Sequence, residues 1–262
     1  MAAPTSLLTR LRRFARLTGH LLGGLATLIF VFPRLSEERR RAAVQDWSRR
    51  VLSSVAVRLD CLGDPRITPG SLVVMNHVSW LDILVLDAVQ ATTFVAKEEI
   101  SRWPVVGTLV TRAGTLYIDR RSYRALRHVN ERLSAVLRSG QSIACFPEGT
   151  TTSGAGVERF HAGLFQPAID AGTSVLPIAL KYRDASGQRT EATAYVGDDS
   201  FMKSVWNVLC APELYAELHF LKPIDTHGAT RREVAEAARD AIDTALTGAP
   251  IAQPALERRH GT

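Results

Sequence analysis

Cysteine is scarce in this 262-residue chain: Cys61, Cys145 and Cys210 stand far apart and are odd in number. They form neither a disulfide framework nor a Cys-x-x-Cys pair, which excludes a cystine-stapled domain and a structural zinc and fits a reducing cytosol. The histidines at 20, 128, 161, 219, 227 and 260 lack metal-ligand spacing, so no metal is expected. No Gly-x-Ser-x-Gly elbow occurs, which argues against a thioesterase or lipase built on one. Internal repeats are missing, and the one low-complexity patch, residues 150–156, reads as a mobile loop. Long uncharged runs are missing too. The longest near the N-terminus, Leu17 to Phe32, has sixteen residues, roughly 24 Å as a helix against about 30 Å of hydrocarbon. That length predicts a helix dipped into one leaflet, or at most a single short membrane segment. Phe-Pro-Arg-Leu at 32–35 offers no small-residue cleavage site, so a secretory signal is not expected.

What is present suits a folded domain: 46% hydrophobic and 22% charged residues can bury a core. The net charge of +6 is uneven, because residues 1–60 hold eleven Arg against four acids, or +7, leaving −1 for 61–262. A basic stretch attracts anionic lipid and nucleic acid alike. Here its neighbours decide for lipid and against nucleic acid: Arg10, Arg12, Arg13 and Arg16 lead into the apolar run. Ser36, followed by acids at 37 and 38, caps a second helix to Leu59. Val44, Trp47, Val51, Val55 and Leu59 form its apolar stripe, and Arg39, Arg40, Arg41, Arg49 and Arg50 its cationic surface. Residues 1–60 therefore read as a two-helix membrane-interface module.

Beyond it, short apolar runs alternate with amphipathic helices, which predicts an α/β domain over 61–262, a mostly mixed sheet flanked by helices. Strands are expected near 55–61, 71–75, 92–96, 115–118, 141–146, 174–181, 191–196 and 214–221. Helices are expected near 79–90, 104–112, 122–139, 162–171, 201–209 and 230–246. Pro177, inside an apolar run, suggests an edge or a strand end.

The residues that could carry chemistry follow the predicted strands. After Leu72–Met75 come Asn76, His77 and Ser79, with Ser79 placed to cap the next helix. Ligands gather at the carboxyl ends of strands in open α/β sheets. Asp82, early in that helix, can fold back onto one ring nitrogen of His77 and leave the other free to take a proton. Gly114 to Arg120 ends a second strand with a possible phosphate partner, Arg120. Phe146-Pro147-Glu148-Gly149-Thr150 ends a third with a carboxylate and a glycine that lets backbone amides approach a ligand. Cys145, inside the run 143–146, reads as core rather than as a nucleophile.

In these blocks the sequence resembles the glycerolipid acyltransferase family. Asn76-His77 with Asp82 after four intervening residues, the Gly-to-Asp-Arg block at 114–120, Phe-Pro-Glu-Gly-Thr at 146–150 and the proline block at 175–178 occur in the family's order. The resemblance implies an O-acyltransferase of membrane lipid synthesis at the cytoplasmic face of the inner membrane. Its co-substrate would be acyl-CoA or acyl carrier protein, its acceptor a lysolipid, and it would need no cofactor. It also implies that His77 acts as general base on the acceptor hydroxyl and that Asp82 orients it, with direct attack on the thioester and no acyl-enzyme. Arg120, Glu148 and Gly149 would bind the acceptor's head, Lys97 would lie near it beside Glu98, and Asn76, Ser79, Thr150 and Thr151 would complete the substrate-binding set. One departure stands out. Family members acting on lysophosphatidic acid often carry Arg where this chain has Thr151, and the Thr-Thr-Thr-Ser run is similar to that of lyso-ornithine-lipid acyltransferases. Both acceptors are carried forward. A non-catalytic lipid-binding module is the contrasting expectation; it need not retain both His77 and Asp82.

Overall fold

The computed structural model describes residues 5–103, 106–118, 123–197 and 199–248. Ser6 caps the first helix by accepting from the Thr9 N–H. From there α1 (Leu7–Ala26) continues through a π-helical turn (Thr27–Val31) and a 3-10 turn (Phe32–Arg34). The helical path is thus 28 residues, roughly 42 Å. This corrects the length expected from the uncharged run alone: by length and composition the helix is able to cross a membrane. Two of the arginines ahead of the run are held by backbone carbonyls. Arg13 donates to the carbonyls of Leu209, Ala211 and Pro212, and Arg10 to that of Thr5. Leu7, Leu8, Leu11, Phe14, Leu22, Phe30 and Val31 remain exposed along it.

Helix α2 (Glu37–Ser54) starts at Ser36, whose hydroxyl accepts from the Arg39 N–H, with Glu37 and Glu38 favourably placed at its positive end. It packs on α1 through Trp47, whose ring N–H donates to the His20 carbonyl. Its C-terminal half joins the core through Val51 and Leu52.

Seven strands form one sheet among the described residues: β1 (Val57–Leu62), β2 (Leu72–Met75), β3 (Thr93–Lys97), β4 (Leu116–Ile118), β5 (Ile143–Cys145), β6 (Val175–Asp184) and β7 (Leu214–Phe220), in the order β1-β7-β6-β2-β5-β3-β4. All neighbours are parallel except β6 and β7, so the sheet is mixed. β1 crosses residue 60, so the sheet begins within the stretch read as the N-terminal module. Side chains alternate between faces. Val73 and Met75 of β2, with Leu176, Ile178, Leu180 and Tyr182 of β6, pack under α2, α3 (Leu81–Val89) and α7 (Phe201–Cys210). Leu72, Val74, Val175 and Ala179 face α5 (Tyr123–Arg138), α6 (Gln166–Ala171) and α8 (Arg231–Thr247). The remaining helix, α4 (Val106–Arg112), connects toward β4. Because β2 is short and β6 long, β6 runs past the end of β2, and its last residues underlie the loop that follows β2.

Two further expectations change. Residues 191–196 form no strand. Their backbone groups are taken elsewhere, the Ala194 N–H by the nearby Glu191 carbonyl and the Tyr195 N–H by the distant Val78 carbonyl, which leaves no ladder despite Thr193, Tyr195 and Val196. Pro177 lies within an interior strand, not at an edge. Its carbonyl accepts from Leu221, beyond the end of β7, so the side on which proline lacks a donor is the side where pairing with β7 has run out.

Asp87 is an anomaly of α3. It is buried near the helix C-terminus, where the dipole disfavours an anion, and it accepts from the Thr92 N–H. Burial pushes its carboxyl up to about 7, only partly opposed by that hydrogen bond. A folded value above the unfolded one, about 4, means that stability is full below about 4 and is lost as pH rises through about 7. Asp87→Asn keeps an acceptor for Thr92. Urea unfolding from pH 4 to 8 is expected to show the wild type losing up to about 1.4 kcal/mol per pH unit relative to the variant. Parallel curves would contradict this.

Candidate active site

The parallel strands β2, β3, β4, β5 and β6 deliver their carboxyl ends to one rim of the sheet. His77 follows β2 there, and Glu148 follows β5. The turn between β2 and α3 is built around Asp82. Its Oδ2 accepts from the backbone N–H of Val78 at 2.7 Å and of Ser79 at 3.0 Å, and from His77 Nδ1 at 2.7 Å; its Oδ1 accepts from the Tyr182 hydroxyl at 2.8 Å. The Asp82 side chain is 0% exposed and that of His77 20% exposed. Four donors compensate the buried carboxylate. Because an ionised carboxylate only accepts, the neutral imidazole in this geometry has its hydrogen on Nδ1 and its lone pair on Nε2.

Two further contacts fix the imidazole. Its ring stacks on Phe146, with centroids 3.9 Å apart and 10° between planes. The His77 backbone N–H donates to Glu148 Oε1 at 2.6 Å, and the other oxygen of Glu148 accepts from the Glu158 N–H at 2.9 Å. Burial pushes the Glu148 carboxyl up, while those two N–H groups pull it back. In this arrangement Glu148 ties the His77 turn to the loop that follows β5 and has both oxygens engaged.

Asn76 and Ser79 are buried, with side chains on backbone. Asn76 donates to the Leu180 carbonyl and accepts from its N–H, so it joins the end of β2 to β6. The Ser79 hydroxyl accepts from Leu81 N–H, although Trp80 occupies the cap position. Gly149, at φ 72°, closes a turn and donates its N–H to the Phe146 carbonyl. The Thr151 hydroxyl donates to the Tyr195 carbonyl, while Thr150 and Lys97 are exposed. Asp119 and Arg120 lie outside the described residues.

The patch read as a mobile loop is instead tied down. Thr152 donates to the His77 carbonyl from both its N–H and its hydroxyl, and Arg189 donates to the Ser153 carbonyl. Gly154, at φ 72°, lies so near Val78 that a Cβ there would sit 3.0 Å from a methyl carbon. Sequence reasoning missed Phe146 as the ring's stacking partner and Tyr182 as the fourth donor to Asp82. Motif membership pointed at Phe146. Tyr182 gave only the alternation of β6, which puts it on the face of Ile178 and Leu180. A His–Asp pair at a strand end, with its carboxylate buried and its imidazole 20% exposed, can remove a proton from a bound hydroxyl. Among the described residues no group of His, Cys, Asp and Glu is arranged to hold a metal ion.

A family model described as Acyltransferase matches residues 58–181. A 1-acyl-sn-glycerol-3-phosphate acyltransferase of Neisseria meningitidis serogroup B is 37% identical over 92% of this chain and 93% of that protein. A lyso-ornithine lipid O-acyltransferase of Pseudomonas aeruginosa is 35% identical over 95% of this chain and 97% of its own length. The crystal structure of the 1-acyl-sn-glycerophosphate (LPA) acyltransferase PlsC from Thermotoga maritima has the same fold, with a TM-score of 0.69 over 92% of this chain and 95% of that one, at 20% identity.

Proposed function

The chain belongs to the acyltransferase family, and on that premise we propose that it is a lysolipid O-acyltransferase in which His77 is the general base. The observation that carries the reading is the 2.7 Å bond from His77 Nδ1 to the buried Asp82, which turns Nε2 outward as an acceptor. The acceptor hydroxyl loses its proton to Nε2 as its oxygen attacks the carbonyl carbon of an acyl thioester. The thiolate then leaves and takes the proton back from the imidazolium, giving an ester and a free thiol with no acyl-enzyme. The donor is acyl-CoA or acyl carrier protein, and Asp82 stabilises the imidazolium between the two transfers. Lys97, Arg120 and Thr150 are assigned to the acceptor's polar head. Asn76, Ser79, Glu148, Gly149 and Thr151 support it by shaping the loops around it.

The protein works at a membrane, which fits the 28-residue helix and its exposed apolar side chains. We assign it to the cytoplasmic face, where lysolipid and soluble thioester meet. The acceptor is a lysolipid of the kinds named for the two relatives, and position 151 bears on the choice, because the Thr151 hydroxyl is held by the Tyr195 carbonyl and presents no cation. The test is an assay of the purified protein with labelled acyl-CoA or acyl carrier protein and, separately, lyso-ornithine lipid and lysophosphatidic acid. Label in a diacyl product is expected with at least one acceptor. Free fatty acid released with neither lipid acylated would replace the reading with a thioesterase, and no turnover of any donor with either lipid would favour a lipid-binding module.

A further inference from the structure

The partner of Asp82 that lies outside the motif blocks is Tyr182. It belongs to the part of β6 that runs past the end of β2, and strand alternation directs its side chain to the face where α3 packs. Its ring is buried, and its hydroxyl donates to Asp82 Oδ1 at 2.8 Å. The other carboxylate oxygen already accepts from Val78 N–H, Ser79 N–H and His77 Nδ1, so the phenol occupies Oδ1 while His77 has Oδ2. We propose that Tyr182 is a positioning residue for the acyl transfer: it holds the Asp82 carboxylate in the rotation that presents Oδ2 to His77, and it draws charge from that carboxylate. The inference rests on His77 being the base.

The chemistry gives the direction of the effect. A donor on Oδ1 lowers the charge density that Oδ2 can offer the imidazolium. Without it, the carboxylate holds the His77 proton more firmly, and the base becomes available only at higher pH. Burial, then the charge of Asp82, push the Tyr182 phenol well above its ordinary range, so it stays protonated and remains a donor. The other charged groups near the pair come from neighbouring elements. Glu148, from the loop after β5, acts on both His77 and Asp82. Asp87 lies toward the far end of α3, where Arg49 of α2 donates to the Ala88 carbonyl. None of these contacts Oδ1 among the recorded hydrogen bonds of the described residues.

The experiment compares kcat/KM against pH for the full-length protein, for Tyr182→Phe and for a protein carrying 3-fluorotyrosine at 182, with His77→Ala and Ile178→Val as controls. Tyr182→Phe is expected to lower kcat about 10-fold with KM little changed and to move the acid limb up by about half a unit or more. The fluorinated phenol keeps the hydrogen bond and the packing and donates more strongly, so its limb moves to lower pH. Ile178→Val, a packing change on the same face of β6, leaves the limb where it is. Limbs that coincide with wild type in both Tyr182 proteins overturn the inference, provided that His77→Ala removes the limb. If Tyr182→Phe does not fold, the fluorinated protein decides alone. Should His77→Ala keep the wild-type limb, the reading of His77 as the base fails, and this inference fails with it.

Discussion

His77→Ala is expected to lower acyl transfer by about 1,000-fold while the protein stays folded, since a positioned general base, the role proposed for His77, contributes about 100- to 10,000-fold. The fold should survive because His77 sits at a strand end with its side chain 20% exposed, and the backbone contacts that build the turn remain. Its N–H still reaches Glu148, and its carbonyl still accepts from Thr152. What is lost is the stack on Phe146 and one of four donors to Asp82, about 1 kcal/mol of stability. Initial rates with labelled thioester and lysolipid, set beside a melting curve, check both halves. Substantial transfer by a folded variant would remove His77 from the chemistry.

Asp82→Asn is the second large effect, and here the environment dictates how the amide must sit. The Val78 and Ser79 N–H groups require an acceptor, so the Asn carbonyl takes the place of Oδ2 and its NH2 the place of Oδ1. The Tyr182 hydroxyl can then turn from donor to acceptor. The network is kept, the His77 tautomer is kept, and the fold survives with a loss of about 1–2 kcal/mol. What disappears is the negative charge beside the imidazolium. Transfer is expected to fall about 1,000-fold with KM nearly unchanged, because that charge matters only once the proton has moved. A variant within a few-fold of wild type would mean that Asp82 is a structural cap of α3 and nothing more.

Much of this architecture was readable before any coordinates. The apolar run Leu72–Met75 ending at Asn76-His77 announced a buried strand that hands its next residues to the rim, and β2 is that strand. The Ser36 cap, the Trp47 stripe and the helix expected near 230–246 rest on local signals, and local signals transfer well because helices are built from near neighbours. What could not be read depends on partners distant in sequence. Residues 191–196 have the composition of a strand, yet Tyr195 gives its N–H to Val78 and its carbonyl to Thr151, more than forty positions away by either count. Pro177 looked like an edge because its missing donor was visible and the end of β7 was not. The uncharged run sets too short a limit for the N-terminal helix, because carbonyls at and just beyond the end of α7 receive Arg13 and the helix extends past it.

The same distinction runs through the site. The spacing from His77 to Asp82 is local, and the two side chains meet as it suggested. Glu148 was read as a ligand for a polar head, but its oxygens are held by amides of His77 and Glu158, and only the second of these is near it in sequence. Tyr182, one hundred positions from Asp82, left no motif at all.

The central question is whether His77 takes the acceptor's proton. The most direct measurement is kcat/KM against pH for wild type and for the residual activity of folded His77→Ala, with a labelled acyl thioester and the preferred lysolipid. The wild type should lose activity toward acid with the slope of a single protonating group, and the variant's residual rate should show no such limb. A variant whose rate falls along the same acid limb as wild type would show that some other group is the base.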